Sequence, residues 1–145
     1  MSDPTPTIFF AGGGSGGHIY PNLAVHEALI AQTGDAAWRE RYLLSQRAID
    51  REIAEHAGLN WAALPAAPVS WRPAGAARFV RGAIQAQHAV EQLLVEHRPA
   101  AMVATGGFVS GPAVRAARRE EVPVALVNLD AVPGLANRWA ARLAD

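Results

Sequence analysis

The 145-residue sequence has no cysteine and no lysine, so all of its thirteen basic residues are arginine. Without cysteine the chain has neither a disulfide framework nor a thiolate metal ligand, which is compatible with a reducing compartment. Without lysine it lacks the phosphate-binding lysine of a P-loop, which excludes an ATPase of that class. Thirteen acidic residues bring the formal net charge to zero, and this balance argues against nucleic acid as a partner.

Long apolar runs are also missing. None approaches the roughly 20 residues that a membrane-spanning helix needs, and residues 1–7 lack the basic and apolar regions of a signal peptide. We therefore expect a soluble protein, which leaves contact with a bilayer surface open. Half of the residues are hydrophobic, and the length is that of one ordinary domain. The sequence predicts one domain over residues 1–145 and no second domain.

Short apolar segments alternate with helical patterns along the chain. The predicted strands are 7–11, 41–45, 61–64, 101–104 and 122–128. The predicted helices run from Pro21 to Gly34 and over 49–57, 76–96, 112–119 and 134–143, with a C-terminal cap at Gly58 and a proline-broken loop over 65–73. Strands separated by helices indicate right-handed crossovers. The predicted fold is α/β, a doubly wound, Rossmann-like parallel sheet.

Two glycine-rich segments, residues 12–17 and 105–112, follow predicted strands and precede predicted helices. Such a junction presents backbone N–H groups and the positive end of a helix dipole, which suit a phosphate. Both segments, with the loops at 65–73 and 128–133, are expected at the carboxyl edge of the sheet, where ligands of such folds bind. A phosphorylated ligand is the resulting prediction; the alternative is that the glycines only permit tight turns.

The first segment also matches the dinucleotide pattern at Gly12, Gly14 and Gly17. A site for NAD needs an acidic residue at the end of the second strand, and residues 43–47 contain none. Arg47 would suit a 2′-phosphate instead, so an NADP-dependent reductase remains an alternative.

Three segments carry a more specific signal. Residues 12–25 (GGGSGGHIYPNLAV), 106–112 (GGFVSGP) and 133–139 (PGLANRW) closely resemble, in order, segments of the MurG family, the bacterial UDP-N-acetylglucosamine transferases that complete the lipid-linked peptidoglycan precursor. The resemblance implies the N-terminal, acceptor-binding half of the two-domain GT-B fold, without the C-terminal donor-binding domain. It further implies that the chain is either a piece of a longer enzyme or works with a partner subunit. In both cases the 145 residues alone are expected to be inactive.

The resemblance also assigns roles to individual residues. It makes His18 the base, or the organiser of the acceptor, in an inverting transfer to a lipid-diphosphate-linked sugar; a helix-capping role is the alternative. It implies no cofactor. The residues that it assigns to the UDP-sugar donor are Ser15, Gly16, Gly17 and Asp130. Those that it assigns to the acceptor are Gly13, Gly14, Gly106, Gly107, Phe108, Ser110 and Asn128.

The sequence departs from the family pattern at two places. Residues 127–130 read Val-Asn-Leu-Asp where the family usually has His-Glu-Gln-Asn, which moves the carboxylate to Asp130 and places Asn128 at the position of a glutamate. Phe108 replaces a common tyrosine and cannot donate a hydrogen bond. A divergent substrate is therefore as compatible with the sequence as the usual one.

Aromatic and basic residues are mixed between Val69 and Arg81. Trp71, Arg72, Phe79 and Arg81 are assigned to the inner face of the cytoplasmic membrane, where the family's acceptor resides, so a cytoplasmic, peripheral location is expected. The alternative places Phe79 and Val80 on the buried face of a long helix that Ala83, Ile84, Ala86 and Val90 continue. The histidine and glutamate spacings favour surface ion pairs, and no metal site is predicted. A non-catalytic anchoring subunit is the competing functional class.

Overall fold

The computed structural model describes residues 5–129 and 135–145. Within them, strands and helices alternate along the chain, as the sequence predicts. The elements are β1 (Thr7–Gly12), α1 (Gly16–Thr33), β2 (Arg39–Ser45), α2 (Ala48–His56), β3 (Trp61–Leu64), α3 (Pro73–His97), β4 (Ala101–Gly106), α4 (Gly107–Arg119), β5 (Val124–Leu126) and α5 (Leu135–Ala140).

The strands form one parallel sheet in the order β3-β2-β1-β4-β5. The order reverses between β1 and β4, which lie side by side at the centre. In open α/β sheets the cleft for a ligand lies at this reversal, beyond the carboxyl ends of the strands. The predicted doubly wound α/β fold is confirmed.

Each central strand contributes to both faces because successive side chains alternate. Phe9 packs in a cluster with Ala86 and Val90 of α3, and the next residue, Phe10, packs on the other face with Ile19 of α1 and Ala54 of α2. Helices therefore cover both faces of the sheet. This double burial explains why the strands read as continuous apolar runs.

Three helices begin three or more residues earlier than the sequence predicts. Pro73 is the first residue of α3 rather than a loop breaker, since the first turn of a helix needs no N–H at that position. Helix α1 begins at Gly16, which places Pro21 inside the helix. The carbonyl oxygen that loses a partner there belongs to Gly17, which is exposed and can be hydrated.

Helix α4 is the third that begins early, so the second glycine segment is a direct junction between a strand and a helix rather than a loop. Gly106 ends β4 and Gly107 begins α4, with φ values of 107° and 78° that favour glycine. The chain thus turns from strand into helix within two residues. Helix α4 therefore begins five residues before the predicted start at Pro112.

The remaining boundaries differ by a few residues. Helix α2 ends as predicted near Gly58. This residue has a φ of 63°, and its N–H donates a hydrogen bond to the carbonyl oxygen of Glu55 (3.2 Å), which closes the helix. Strand β5 is shorter than the predicted 122–128, and α5 is shorter than the predicted 134–143. Among the described residues, no helix combines the length and the apolar character that crossing a bilayer requires.

Candidate functional site

The two glycine segments contact each other at the carboxyl edge of the sheet. A Cβ atom on Gly107 would lie 2.5 Å from the carbonyl oxygen of Gly13, and one on Gly12 would overlap the hydroxyl of Thr105. Only glycine permits this approach, so part of the glycine content serves packing between β1, β4 and α4. The predicted convergence of the two segments is confirmed, and the tight-turn alternative is also correct for these positions.

Asp50 and Arg47 hold the first glycine segment from the neighbouring β2–α2 connection. The buried carboxylate of Asp50 accepts hydrogen bonds from the amides of Gly14 (2.7 and 3.0 Å to its two oxygens) and Ser45 (2.9 Å) and from the Ser45 hydroxyl (2.5 Å). The Arg47 guanidinium donates to the Gly14 carbonyl (2.6 Å). Arg47 therefore braces the loop, whereas the dinucleotide hypothesis assigned it to a 2′-phosphate.

Three residues assigned to the acceptor are instead bonded within the protein. Gly14 uses both its N–H and its carbonyl group on Asp50 and Arg47. The Gly106 amide donates to the Ser110 hydroxyl oxygen (3.0 Å). That hydroxyl is buried and lies within donating distance of the carbonyl oxygens of Ala11 (3.1 Å) and Gly106 (2.6 Å). The structure thus satisfies these polar groups internally, as buried polar groups at a strand–helix junction require.

Ser15, Gly16 and Gly17, which were assigned to the donor, lie at the start of α1. Ser15 is the N-cap residue, is exposed, and its hydroxyl makes no capping hydrogen bond. The first amides of a helix have no carbonyl partner within the helix. The His18 amide donates to the Ser15 carbonyl oxygen (3.1 Å). The Ser15 hydroxyl and the amides of Gly16 and Gly17 therefore remain without a helical partner, which suits a diphosphate.

His18 lies across the junction of β4 and α4. Its Nδ1 atom is 3.3 Å from the carbonyl oxygen of Thr105, and its ring edge packs on Gly107. A carbonyl oxygen can only accept, so a hydrogen bond at this contact needs the proton on Nδ1, and a neutral ring then carries its lone pair on Nε2. The ring is half-buried and lines a surface groove, which suits a proton acceptor better than the alternative role of a helix cap.

The groove has a volume of about 1010 Å³ and runs between α3 and α4. His18, Gly107 and Phe108 line its inner end, and Arg115 and Arg119 contribute the cations of its wall. The rest of the lining is mostly apolar; its members are Val69, Phe79, Val80, Ala83, Ile84, Gln87, Gly111, Pro112, Asn137 and Trp139. The groove thus combines His18 and two arginines with a largely apolar lining.

Asn137 lies beside His18 and holds a second asparagine, Asn128. The buried Asn137 of α5 donates from Nδ2 to the Oδ1 atom of the exposed Asn128 (2.9 Å). The Asn137 Oδ1 atom lies 2.8 Å from the position that a Gly106 Cβ would take. Asn128, assigned to the acceptor, is therefore held by α5, while Asp130 lies outside the described residues.

The residues assigned to a membrane surface lie at the start of α3 and along it. Trp71 is 92% exposed, and Arg72 and Arg81 are also exposed, whereas Phe79 is half-buried in the groove lining. The alternative of a continuous buried face is wrong for Val80 and Ile84, which are 55% and 53% exposed. The buried stripe of α3 consists of Gly82, Ala86, Val90 and Leu94.

Sequence reasoning missed Asp50, Thr105 and Asn137 as organisers of the site. Each is a polar residue that the fold buries. Asp50 had a signal in the sequence, because an acidic residue in the first turn of a helix is favoured there. Within the described part of the chain, no group of three or more His, Asp and Glu side chains is placed to hold a metal ion.

Comparison with known proteins identifies the family of this chain. Residues 8–145 match the glycosyltransferase family 28 N-terminal domain. The enzymes named UDP-N-acetylglucosamine--N-acetylmuramyl-(pentapeptide) pyrophosphoryl-undecaprenol N-acetylglucosamine transferase from Shouchella clausii and Treponema pallidum are 36% and 38% identical to it. Each match covers 95% of this chain but only 38% and 35% of the relative.

A solved structure agrees in fold. The crystal structure of Acinetobacter baumannii MurG superposes with a TM-score of 0.78 at 23% identity, over 97% of this chain and 40% of that protein. The chain therefore spans less than half the length of the relatives that it matches. With a family match over nearly all of its residues, and the two glycine segments meeting beside His18, the chain belongs to the glycosyltransferase family 28 N-terminal domain family.

Proposed function

We propose that this chain is the acceptor-binding half of an inverting transferase that moves N-acetylglucosamine from UDP-N-acetylglucosamine to a lipid-diphosphate-linked sugar. One observation carries the proposal: His18, with Nδ1 facing a carbonyl oxygen, lines a groove between α3 and α4 whose lining is mostly apolar. A lipid-linked sugar diphosphate combines a hydroxyl, two phosphates and a hydrocarbon chain, which a base, cations and an apolar lining can each contact.

In the proposed reaction, Nε2 of His18 takes the proton of the acceptor hydroxyl. The hydroxyl oxygen then bonds to the anomeric carbon of N-acetylglucosamine from the face opposite UDP. The bond from that carbon to the UDP oxygen breaks, and its electron pair leaves with UDP. General-base assistance of this kind contributes typically 10²–10⁴-fold to a rate.

The phosphates have two sources of positive potential in this half. The amides of Gly16 and Gly17, in the first turn of α1, lie at the carboxyl edge of the sheet, and Arg115 is exposed on the groove wall. Arg119 is held by Glu91 (3.0 Å) and is less available. We assign the donor diphosphate to Ser15, Gly16 and Gly17, with the second domain or a partner subunit supplying the remaining donor contacts.

The apolar lining of the groove and the exposed Trp71 favour a location on the inner surface of the cytoplasmic membrane. Val69, beside Trp71, is 62% exposed, and Arg72 adds a cation next to these apolar side chains. An arginine near an anionic lipid surface contributes about 1 kcal/mol. This surface would keep the chain where a lipid-linked acceptor resides.

Calorimetric titration tests the proposal directly. A short-chain prenyl-diphosphoryl N-acetylmuramyl pentapeptide should bind the chain, and the same sugar-peptide without the prenyl diphosphate should bind at least tenfold more weakly. UDP-N-acetylglucosamine alone should bind weakly. Saturable binding of the donor without any acceptor binding would contradict the assignment of this half, as would full turnover by the isolated chain.

The same exposed surface supports a second candidate, a non-catalytic subunit that anchors a partner to the membrane. Trp71→Ala and His18→Ala separate the two functions on vesicles that contain anionic phospholipid. An anchor depends on Trp71 and is indifferent to His18, whereas the transferase half also loses transfer in the His18 variant when a C-terminal half is supplied. Val95→Ala, at an exposed apolar position near the end of α3, is the control for vesicle binding.

A further inference from the structure

Thr105 contacts His18 at two points although 87 residues separate them in the sequence. The Thr105 hydroxyl donates to the backbone carbonyl of His18 (2.5 Å), and the Thr105 carbonyl oxygen faces Nδ1 of the His18 ring (3.3 Å). Thr105 is 2% exposed and therefore firmly enclosed. One residue of β4 thus fixes both the backbone and the ring of the proposed base.

A shift in sheet register gives Thr105 this position. Ala11 pairs with Ala104, but the next residue of β1, Gly12, pairs with Gly106, so Thr105 is an extra residue in the ladder. A bulge of this kind leaves one residue unpaired and is a common way to redirect groups next to an active site. The missing side chain of Gly12 provides the space that the Thr105 hydroxyl occupies.

We propose that Thr105 is a positioning residue that holds His18 in the tautomer with the proton on Nδ1. The carbonyl oxygen of Thr105 selects this tautomer because it can only accept a hydrogen bond. The hydroxyl keeps the first turn of α1 at the distance where that selection operates. The catalytic meaning of this role rests on the proposed function, but the tautomer itself is a property of the isolated chain.

Nitrogen NMR on the 145-residue chain with ¹⁵N-labelled histidine tests the proposal without an activity assay. At a pH where imidazoles are neutral, the two ring nitrogens of His18 should show Nδ1 protonated and Nε2 unprotonated. The variant His18→Gln assigns the signals among the five histidines. A wild-type His18 with the proton on Nε2 would overturn the proposal at once.

Three threonine variants separate positioning from general structure. Thr105→Val removes the hydroxyl at nearly constant volume, and we expect its His18 signals to move toward the tautomer ratio of free histidine. Thr105→Ser keeps the hydroxyl and should retain the wild-type signals. Thr33→Val is the control, because the Thr33 hydroxyl bonds to the Leu29 carbonyl (2.8 Å) at the far end of the same helix.

The His18 signals of these variants decide the role of the Thr105 hydroxyl. Wild-type signals in Thr105→Val, altered signals in Thr105→Ser, or an equal change in Thr33→Val would each contradict the positioning role of the hydroxyl. Should Thr105→Val fail to fold, the wild-type and Thr105→Ser spectra still decide the proposal. The predicted tautomer together with absent acceptor binding would instead refute the proposed function and leave the role of Thr105 standing.

Discussion

The Cδ2 atom of His18 lies 3.0 Å from the position that a Cβ atom on Gly107 would take, so the ring of the proposed base rests directly on a glycine backbone. The carbonyl oxygen of Gly13 lies 2.5 Å from the same position. Gly107 therefore joins the two glycine segments and supports the imidazole at once. Its substitution should disturb the stability of the fold and the placement of His18 together.

A pair of glycine-to-alanine variants measures this packing. Gly34 and Gly107 have similar φ values of 85° and 78°, but the space around Gly34 is open. Gly34→Ala should cost roughly 1–3 kcal/mol from backbone strain alone. Gly107→Ala should cost about 1–3 kcal/mol more because its Cβ is crowded. Urea unfolding provides the comparison, and equal losses would show that crowding at Gly107 is relieved without cost.

Asp50 should be essential for the shape of the first glycine segment. Asp50→Asn replaces an acceptor oxygen by an NH₂ group facing the amides of Gly14 and Ser45, and we expect a loss of about 1–3 kcal/mol of unfolding free energy. Glu52→Gln, at an exposed position of the same helix, should stay within roughly 0.5 kcal/mol of the wild type. Denaturant midpoints with unchanged slopes would measure both, and two similar values would contradict this role of Asp50.

The two serines of the glycine segments should behave in opposite ways. Ser110→Ala leaves the buried Gly106 amide without its partner and should destabilise the fold by about 1–3 kcal/mol. Ser15→Ala removes an exposed hydroxyl that makes no cap bond and should change stability by less than roughly 0.5 kcal/mol. Thermal unfolding of the two variants tests the distinction. A strongly destabilised Ser15 variant would show that its hydroxyl supports the fold rather than a ligand.

Tyr42 should couple stability to alkaline pH. Burial, reinforced by the charges of Glu40 and Glu27, raises the pKa of Tyr42 above its ordinary value. The folded protein therefore keeps the phenol proton of Tyr42 to a higher pH than the unfolded chain does. Stability from this group is complete below about pH 10 and falls by up to about 1.4 kcal/mol per pH unit above it.

The variant Tyr42→Phe tests this coupling. The variant should not show the loss of unfolding free energy at alkaline pH that Tyr42 causes. At neutral pH it should be less stable by about 1 kcal/mol, because it lacks the hydrogen bond between the Tyr42 hydroxyl and Nδ1 of His26 (2.7 Å). Tyr20→Phe, at a position that is 60% exposed, is the matched control. The unfolding free energy is measured from about pH 8 to about pH 11, a range that includes the ordinary tyrosine pKa of about 10. Its slope against pH is then compared among the three proteins. Parallel slopes for wild type and Tyr42→Phe would contradict the assignment.

Local sequence signals predicted most of the fold because they depend on short-range rules. The apolar run at 61–64 is the strand β3 with the predicted bounds, and Gly58 ends α2 as a left-handed residue should. The starts of α1, α3 and α4 were predicted too late. In each case proline or glycine was interpreted as a loop residue, whereas the structure includes it in the helix.

The site was predicted less completely than the fold. His18 and the meeting of the two glycine segments followed from motifs along the chain. The inward bonding of Gly14, Gly106 and Ser110 did not, because a serine or a glycine amide has the same sequence signal whether it faces a ligand or a buried carbonyl group. Burial decides between these two, and burial depends on which strands are neighbours.

The sequence by itself determined the alternation of strands and helices, the positions of the glycine segments, and the presence of a histidine after the first of them. Periodicity and local backbone freedom are enough for these features. Only the tertiary structure decided that Asp50 and Arg47 brace the first segment and that Thr105 leaves the ladder to reach His18. Such contacts join residues 33 to 87 positions apart, so they exist only once the parallel sheet has brought its carboxyl ends together.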